Sequence, residues 1–326
     1  MNGQADSERR TVGLTGAMSI GIGGMVGGGI FAVLGEAVSI AHGATAVAFL
    51  MAGVIALLTS YAYAKLSVKY QTRGGTVVFV DNAFGQELFS GGINLILWLS
   101  YLVTISLYAI AFGSYAQTFF HGNQSPILKH VLVSAAILLP MIINLISAQV
   151  VSKSEATIVL IKLILLAVIV VSGASFVDKT RLSASQWGSP FSIFAAGMVI
   201  FVAYEGFELI ANSAEDIENP NRNLPRAFYG SVLLVVVLYI LIAIVTVGTV
   251  PESQLIKAKD YALAVAAEPA LGQAAVSGVR PLSRTCGGFS PGELVSGFRN
   301  EERMGGTADR RHRVESARRR NGVGRG

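Results

Sequence analysis

The sequence predicts an all-α membrane protein that crosses the bilayer about seven times, and three observations carry that expectation. Of 326 residues, 52% are hydrophobic and 14% charged, against about 25% charged in soluble domains. Seven segments approach the roughly 20 apolar residues that a spanning helix needs: 12–34, 44–66, 92–120, 127–148, 157–177, 191–213 and 227–250. The cations between them are unevenly shared. One side carries Arg9, Arg10, Lys65, Lys69, Arg73, Lys153, Arg222 and Arg226, while the other carries Lys129, Lys179 and Arg181 before the seventh span. Lysine and arginine concentrate in cytoplasmic connections. The N-terminus is therefore expected inside the cytoplasmic membrane, with residues 1–11 as a short cytoplasmic lead and 12–272 as the membrane domain.

The first span contains "GIGGMVGGGIF", Gly21 to Phe31, in which six of nine residues from Gly21 to Gly29 are glycine. Each glycine costs a helix about 1 kcal/mol relative to alanine, so the run opposes helix formation by about 5 kcal/mol. It is not a dinucleotide fingerprint, because Val26 stands where the last glycine of G-x-G-x-x-G belongs and no βαβ pattern surrounds it. Two readings remain. The pairs Gly23/Gly27 and Gly24/Gly28 form small-xxx-small faces for helix packing. Alternatively the helix breaks here, and its freed N–H and C=O groups line a site at the bilayer midplane. Glycine on every face exceeds what packing needs, which favours the break.

The third span places Tyr101 and Tyr108 seven residues apart on one face, with Trp98 nearby. Packing or lipid contact is their ordinary role, and a substrate path is the alternative. The fifth span carries Lys162 about 7–8 Å inside its cytoplasmic end. It either snorkels to the interface or forms a buried ammonium that couples to protons. In the sixth span, Glu205 and Glu208 flank Gly206 in an apolar context. Glu205 lies about 21 Å along a continuous helix from Phe191. An ionisable residue at that depth is a functional candidate, unless the span ends early. Beyond it, Pro220 is expected to stop the incoming helix and Pro225 to open the next. Glu215, Asp216 and Glu218 are expected to pair with Arg222 and Arg226.

Other function classes find little support. One cysteine, Cys286, excludes an internal disulfide or a cysteine metal site. The histidines are scattered, no nucleophile–base pair appears, and an enzyme is not expected. The net charge of +5 belongs to the tail: eleven arginines follow Gln273, whereas residues 1–272 hold six arginines and eight lysines. No nucleic-acid partner, metal or cofactor is expected.

"GIGGMVGGGIF" and "YEGFELIANSAEDIENPNRNLPRA" together resemble the amino acid–polyamine–organocation (APC) permeases. "LWLSYLVTISLYA", "IVLIKLIL" and "ALAVAAEPALG" resemble the archaeal proton-coupled, broad-specificity branch of that superfamily. The similarity covers roughly residues 10–272. It implies a LeuT-like inverted-repeat fold, here incomplete, with the first and sixth helices discontinuous. It further implies a secondary active importer of amino acids, proton-coupled, in a lipid bilayer. By resemblance Gly27, Gly28 and Gly29 hold the substrate carboxylate. Met25 and the backbone of Val202, Ala203 and Glu205 hold the amino group, Tyr204 lines the site, and Lys162 couples protons. Glu208, Tyr101 and Tyr108 are further candidates. Glu205 and Glu208 depart from the closest branch, which leaves cationic substrates open.

Residues 273–326 depart further. Where the family continues into an eighth apolar helix, arginine- and glycine-rich sequence begins. A truncated or frameshifted product is the favoured expectation, and a disordered tail is the alternative. Such a chain would be either a transporter or a transport-incompetent fragment or amino-acid sensor of the same fold.

Overall fold

A computed structural model describes residues 10–85, 87–117, 120, 125–146 and 148–267. These fall in one compact unit, Met1–Gln273. The arginine-rich tail, and with it the question of reading frame, lies outside the described residues. Helices make up nearly all of the described chain.

The first span is two helices, α1 (Leu14–Met25) and α2 (Gly29–Ala41), bent by 43° at a three-residue break. Neither side of the break uses a left-handed residue: Val26 has φ −80° and Gly28 φ −102°. The span runs on to Ala41, past the expected end at Leu34. Within that extension the Glu36 carboxylate meets Lys259 Nζ at 2.8 Å. Pairing removes much of the cost of a carboxylate there. His42, at φ 53°, then ends α2.

Next come α3 (Thr45–Lys69), the short α4 (Gly75–Phe84), α5 (Leu88–Gln117), α6 (Pro126–Ile146) and α7 (Ala148–Gly173). The sixth span comprises α8 (Pro190–Phe201), a 3₁₀ segment over Val202–Glu208, and α9 (Leu209–Asn212). Then α10 (Pro220–Thr249) crosses back and α11 (Glu252–Ala258) follows. Among the described residues, five helical segments are long and apolar enough to cross a membrane, and the bent α1–α2 pair makes a sixth. The fourth expected span, 127–148, is α6, of which Pro126–Ile142 is the apolar part. The short α4 and α11 were not foreseen.

Two expectations about the connection after the sixth span are corrected. Pro220 starts α10 rather than only stopping the preceding helix, and Pro225 sits inside it. The missing N–H of Pro220 costs nothing in the first turn, where donors lack helical partners anyway. Among the described residues, the acidic cluster finds its cation elsewhere. Arg73 Nη2 lies 2.7 Å from Asp216 and Arg73 Nε 3.8 Å from Glu215. The same connection pins the N-terminal segment, since Asp216 O accepts from Thr11 and Val12 N–H at 3.1 and 3.0 Å.

The packed core lies among α1, α2, α3, α8, α9 and α10, where Leu34, Phe49, Ile200, Ile210 and Phe228 are fully buried. In contrast α5, α6 and α7 turn large apolar side chains outward, among them Ile96, Val103, Val131 and Leu165. An outward apolar surface on helices of this length suits lipid chains. The molecule is accordingly a multi-pass helical membrane protein.

Glycine lets the two interrupted spans touch. A Cβ on Gly24 would lie 2.5 Å from Gly206 O, and one on Gly206 would strike the Gly24 and Met25 backbone. A Cβ on Gly29 would lie 2.7 Å from the Ala203 Cα. The close-packing reading of the glycine run and the broken-helix reading therefore both describe this structure, at different glycines. Gly206→Ala is expected to lower stability by about 1–3 kcal/mol through backbone overlap. Gly91→Ala, where nothing lies within 4 Å of the added methyl, should stay within about 1 kcal/mol of the parent. Thermal unfolding in detergent measures both.

Candidate functional site

The break between α1 and α2 and the 3₁₀ segment of the sixth span lie against each other near the middle of the bundle. A helix that ends at Met25 leaves its last carbonyls without helical donors, and one that starts at Gly29 leaves its first N–H groups without helical acceptors. Wound at three residues per turn, Val202–Glu208 has poorer hydrogen-bond geometry than an α-helix. Both spans thus present backbone polarity at membrane depth.

A cavity of about 630 Å³ opens beside the first break. Gly27, Gly28 and Phe31 form one wall, Tyr108 and Tyr115 of α5 another, and Pro140 of α6 and Lys162 of α7 the remainder. Such a volume is in the range of small-molecule sites. The lining is chiefly apolar, so the backbone at Gly27–Gly28 and the half-buried Lys162 are the conspicuous polar features. The Tyr108 ring lies directly on Gly28, where any Cβ would overlap it.

The structure brings together some of the expected site residues and separates others. Gly27, Gly28, Tyr108 and Lys162 share the cavity. Gly29 begins α2 against Ala203. Met25, Ala203 and Tyr204 are fully buried just behind the break, and Val202 begins the 3₁₀ segment beside them. The Tyr204 ring does not line the cavity: it packs 5.2 Å from the Tyr239 ring, and its hydroxyl donates to Phe49 O at 3.2 Å. Glu205 is half-buried and has no hydrogen-bond or ion-pair partner among the described residues. Glu208 is 6% exposed and well held. Tyr101 donates to its Oε1 at 2.6 Å, and Tyr63 approaches its Oε2 at 3.5 Å while also meeting Thr76 Oγ1 at 2.9 Å. Tyr101 and Tyr108 thus both face the sixth-span side of α5, one toward Glu208 and one toward the break.

Sequence reasoning missed Tyr63 and Tyr239. The hydroxyl of Tyr239 donates to Met25 O at 2.7 Å and lies 3.4 Å from Ala203 O, bridging the two interruptions. Its ring packs edge-on to Phe49 at 5.8 Å. A signal existed: Tyr239 is the lone polar tip within "VLLVVVLYILIAIV", and a buried phenol needs a hydrogen-bond partner.

Two interrupted helices meeting beside a cavity within a bundle of spans define a multi-pass membrane protein with exposed backbone polarity at one internal site. The comparisons identify its family. A model of the amino acid permease family matches residues 12–280, and the chain belongs to that family. It is 35% identical over 273 residues to the inner membrane transport protein YbaT of Escherichia coli, covering 83% of this chain and 64% of the relative. It is 29% identical over 270 residues to the chloroplastic cationic amino acid transporter 9 of Arabidopsis thaliana, covering 77% and 47%. It is 27% identical over 291 residues to the methylthioribose transporter of Bacillus subtilis, covering 85% and 62%. The chain spans between about half and two thirds of the length of these relatives.

The Glu208 network yields a test of its own. Removing the Tyr101 hydroxyl leaves a buried carboxylate with only the longer Tyr63 contact. Tyr101→Phe is expected to cost about 1–3 kcal/mol. Combined with Glu208→Gln, a double-mutant cycle should return a coupling of about 1 kcal/mol or more. Unfolding in detergent supplies the four stabilities.

Proposed function

We propose that this chain forms the substrate-facing part of a secondary active transporter that imports amino acids across the cytoplasmic membrane, driven by protons. The observation that carries the reading is that the broken backbone at Gly27–Gly28 and the Lys162 side chain line one cavity. A zwitterion needs N–H donors for its carboxylate and carbonyls for its ammonium. The α2 N-terminus supplies the donors at Gly27, Gly28 and Gly29, favoured further by the helix dipole. Met25 and the Val202–Glu205 backbone supply the acceptors on the facing side. Family membership, and relatives named for cationic amino acids and for methylthioribose, support a small polar solute.

Lys162 is the coupling group in this reading. An ammonium that borders an apolar cavity is costly to keep charged as water leaves, so gain and loss of its proton alternate with the state of the cavity. The distribution of lysine and arginine supports an N-terminus on the cytoplasmic side. Binding of an amino acid without transport is the second reading, since a cavity beside the break would serve either.

Reconstitution of the purified chain into liposomes, with an imposed inward proton gradient and labelled amino acids, tests the first reading against the second. Gradient-dependent accumulation is expected, abolished by a protonophore and by Lys162→Ala. Accumulation undiminished in Lys162→Ala would return that lysine to a snorkelling role. Binding without accumulation in the parent would assign this chain to binding alone.

A further inference from the structure

Tyr239 occupies an unusual position for a structural hydroxyl. Its oxygen stands where two main-chain carbonyls from different spans converge: Met25 O, at the last turn of α1, and Ala203 O, within the 3₁₀ segment. A phenol has one hydrogen to give. The 2.7 Å bond to Met25 uses it, and at 3.4 Å Ala203 O receives little. The side chain is wholly buried, and its ring is fixed between Phe49 and Tyr204. Two acceptors therefore face one donor at the junction of the interruptions, within three residues of the Gly27–Gly28 wall of the cavity.

We propose that the Tyr239 hydroxyl is an internal stand-in for the ammonium of the substrate: it caps these carbonyls in the empty protein and is displaced from them when an α-amino acid binds. This rests on the amino-acid reading above, in which the same carbonyls receive the amine. An ammonium carries three N–H donors and a full charge, so it satisfies both oxygens where the phenol satisfies one. A carboxylate seated on the N–H groups of Gly27–Gly29 brings its own ammonium toward Met25 O, one covalent skeleton away. In the empty state the tyrosine keeps a buried carbonyl from going unpaired, which would cost about 1–3 kcal/mol. In the bound state that role passes to the ligand, and the hydroxyl must turn away.

The consequence is an inverted mutational sign. An ordinary scaffold hydrogen bond, present in both states, weakens binding or leaves it unchanged when removed. A competitor strengthens binding when removed, because the empty state alone loses its partner.

The test uses the whole chain in lipid nanodiscs. Tritiated common L-amino acids are measured one at a time against the parent, Tyr239→Phe and Tyr204→Phe, whose hydroxyl serves Phe49 instead. For an amino acid that binds, Tyr239→Phe should raise affinity about threefold to tenfold, the worth of one hydrogen bond. Tyr204→Phe should not raise it. The deaminated analogue of the same amino acid, used as a competitor, should gain nothing from Tyr239→Phe, since it brings no donor to those carbonyls. Equal or weaker amino-acid binding by Tyr239→Phe overturns the role of the tyrosine while leaving the amino-acid reading intact. A failure of every amino acid to bind the parent overturns that reading and this inference with it. Should Tyr239→Phe not fold, difference infrared spectroscopy of the ring-labelled parent reads the same event. Added amino acid should shift the C–O band of a carbonyl-bonded tyrosine, in Tyr204→Phe as in the parent, and an unchanged band overturns the displacement.

Discussion

At Gly24 and Gly206 the backbones of the first and sixth spans meet with no side chain between them, and the rest of the bundle is arranged around that approach. Any methyl on either residue would overlap main-chain atoms of the other span. Main chains this close bring carbonyls and N–H groups of two helices within a few residues of one another. Lipid offers those groups no partners, so the protein supplies them: Tyr239 caps Met25, and the α2 N-terminus looks into a cavity. Close packing and unsatisfied polarity are two results of one sequence choice, which is why a glycine run at mid-membrane serves both.

A second constraint is the placement of charge at depth. Glu208 is enclosed by α3, α5 and the sixth span, and two tyrosine hydroxyls from different helices reach it. Glu205, one turn earlier, has none of this support. These carboxylates stand in different conditions three residues apart, and only one is built into the scaffold. Lys162, on α7, lines the cavity together with residues of α5 and α6. Acid and base thus stand on separate helices, the carboxylates on the sixth span and the ammonium on α7.

Much of this was legible in the residues, and the reasons differ from element to element. The spans announced themselves because lipid demands long apolar runs, and the break announced itself because six glycines have no cheaper purpose inside a helix. The end set for the first span at Leu34 misled, since Glu36 just beyond it finds its partner Lys259 some 220 residues on. Pro225 misled in a similar way: it looks like a helix start, yet Pro220 takes that place and leaves Pro225 within the helix. Tyr239 and Tyr63 stayed hidden because each is one aromatic among many, and what marks them is a partner distant in sequence. Arg73 was missed as the cation for Asp216 for the same reason. Local grammar was readable, and pairings across the bundle were not.

The account stands on backbone groups at the two interruptions, and amide hydrogen exchange reports on those groups without labels or substitutions. In nanodiscs, adding a saturating mixture of the common L-amino acids should slow exchange at residues 27–31, with a smaller effect over residues 202–206, and leave the middle of α10 unchanged. Exchange at residues 27–31 that is indifferent to amino acids would contradict it.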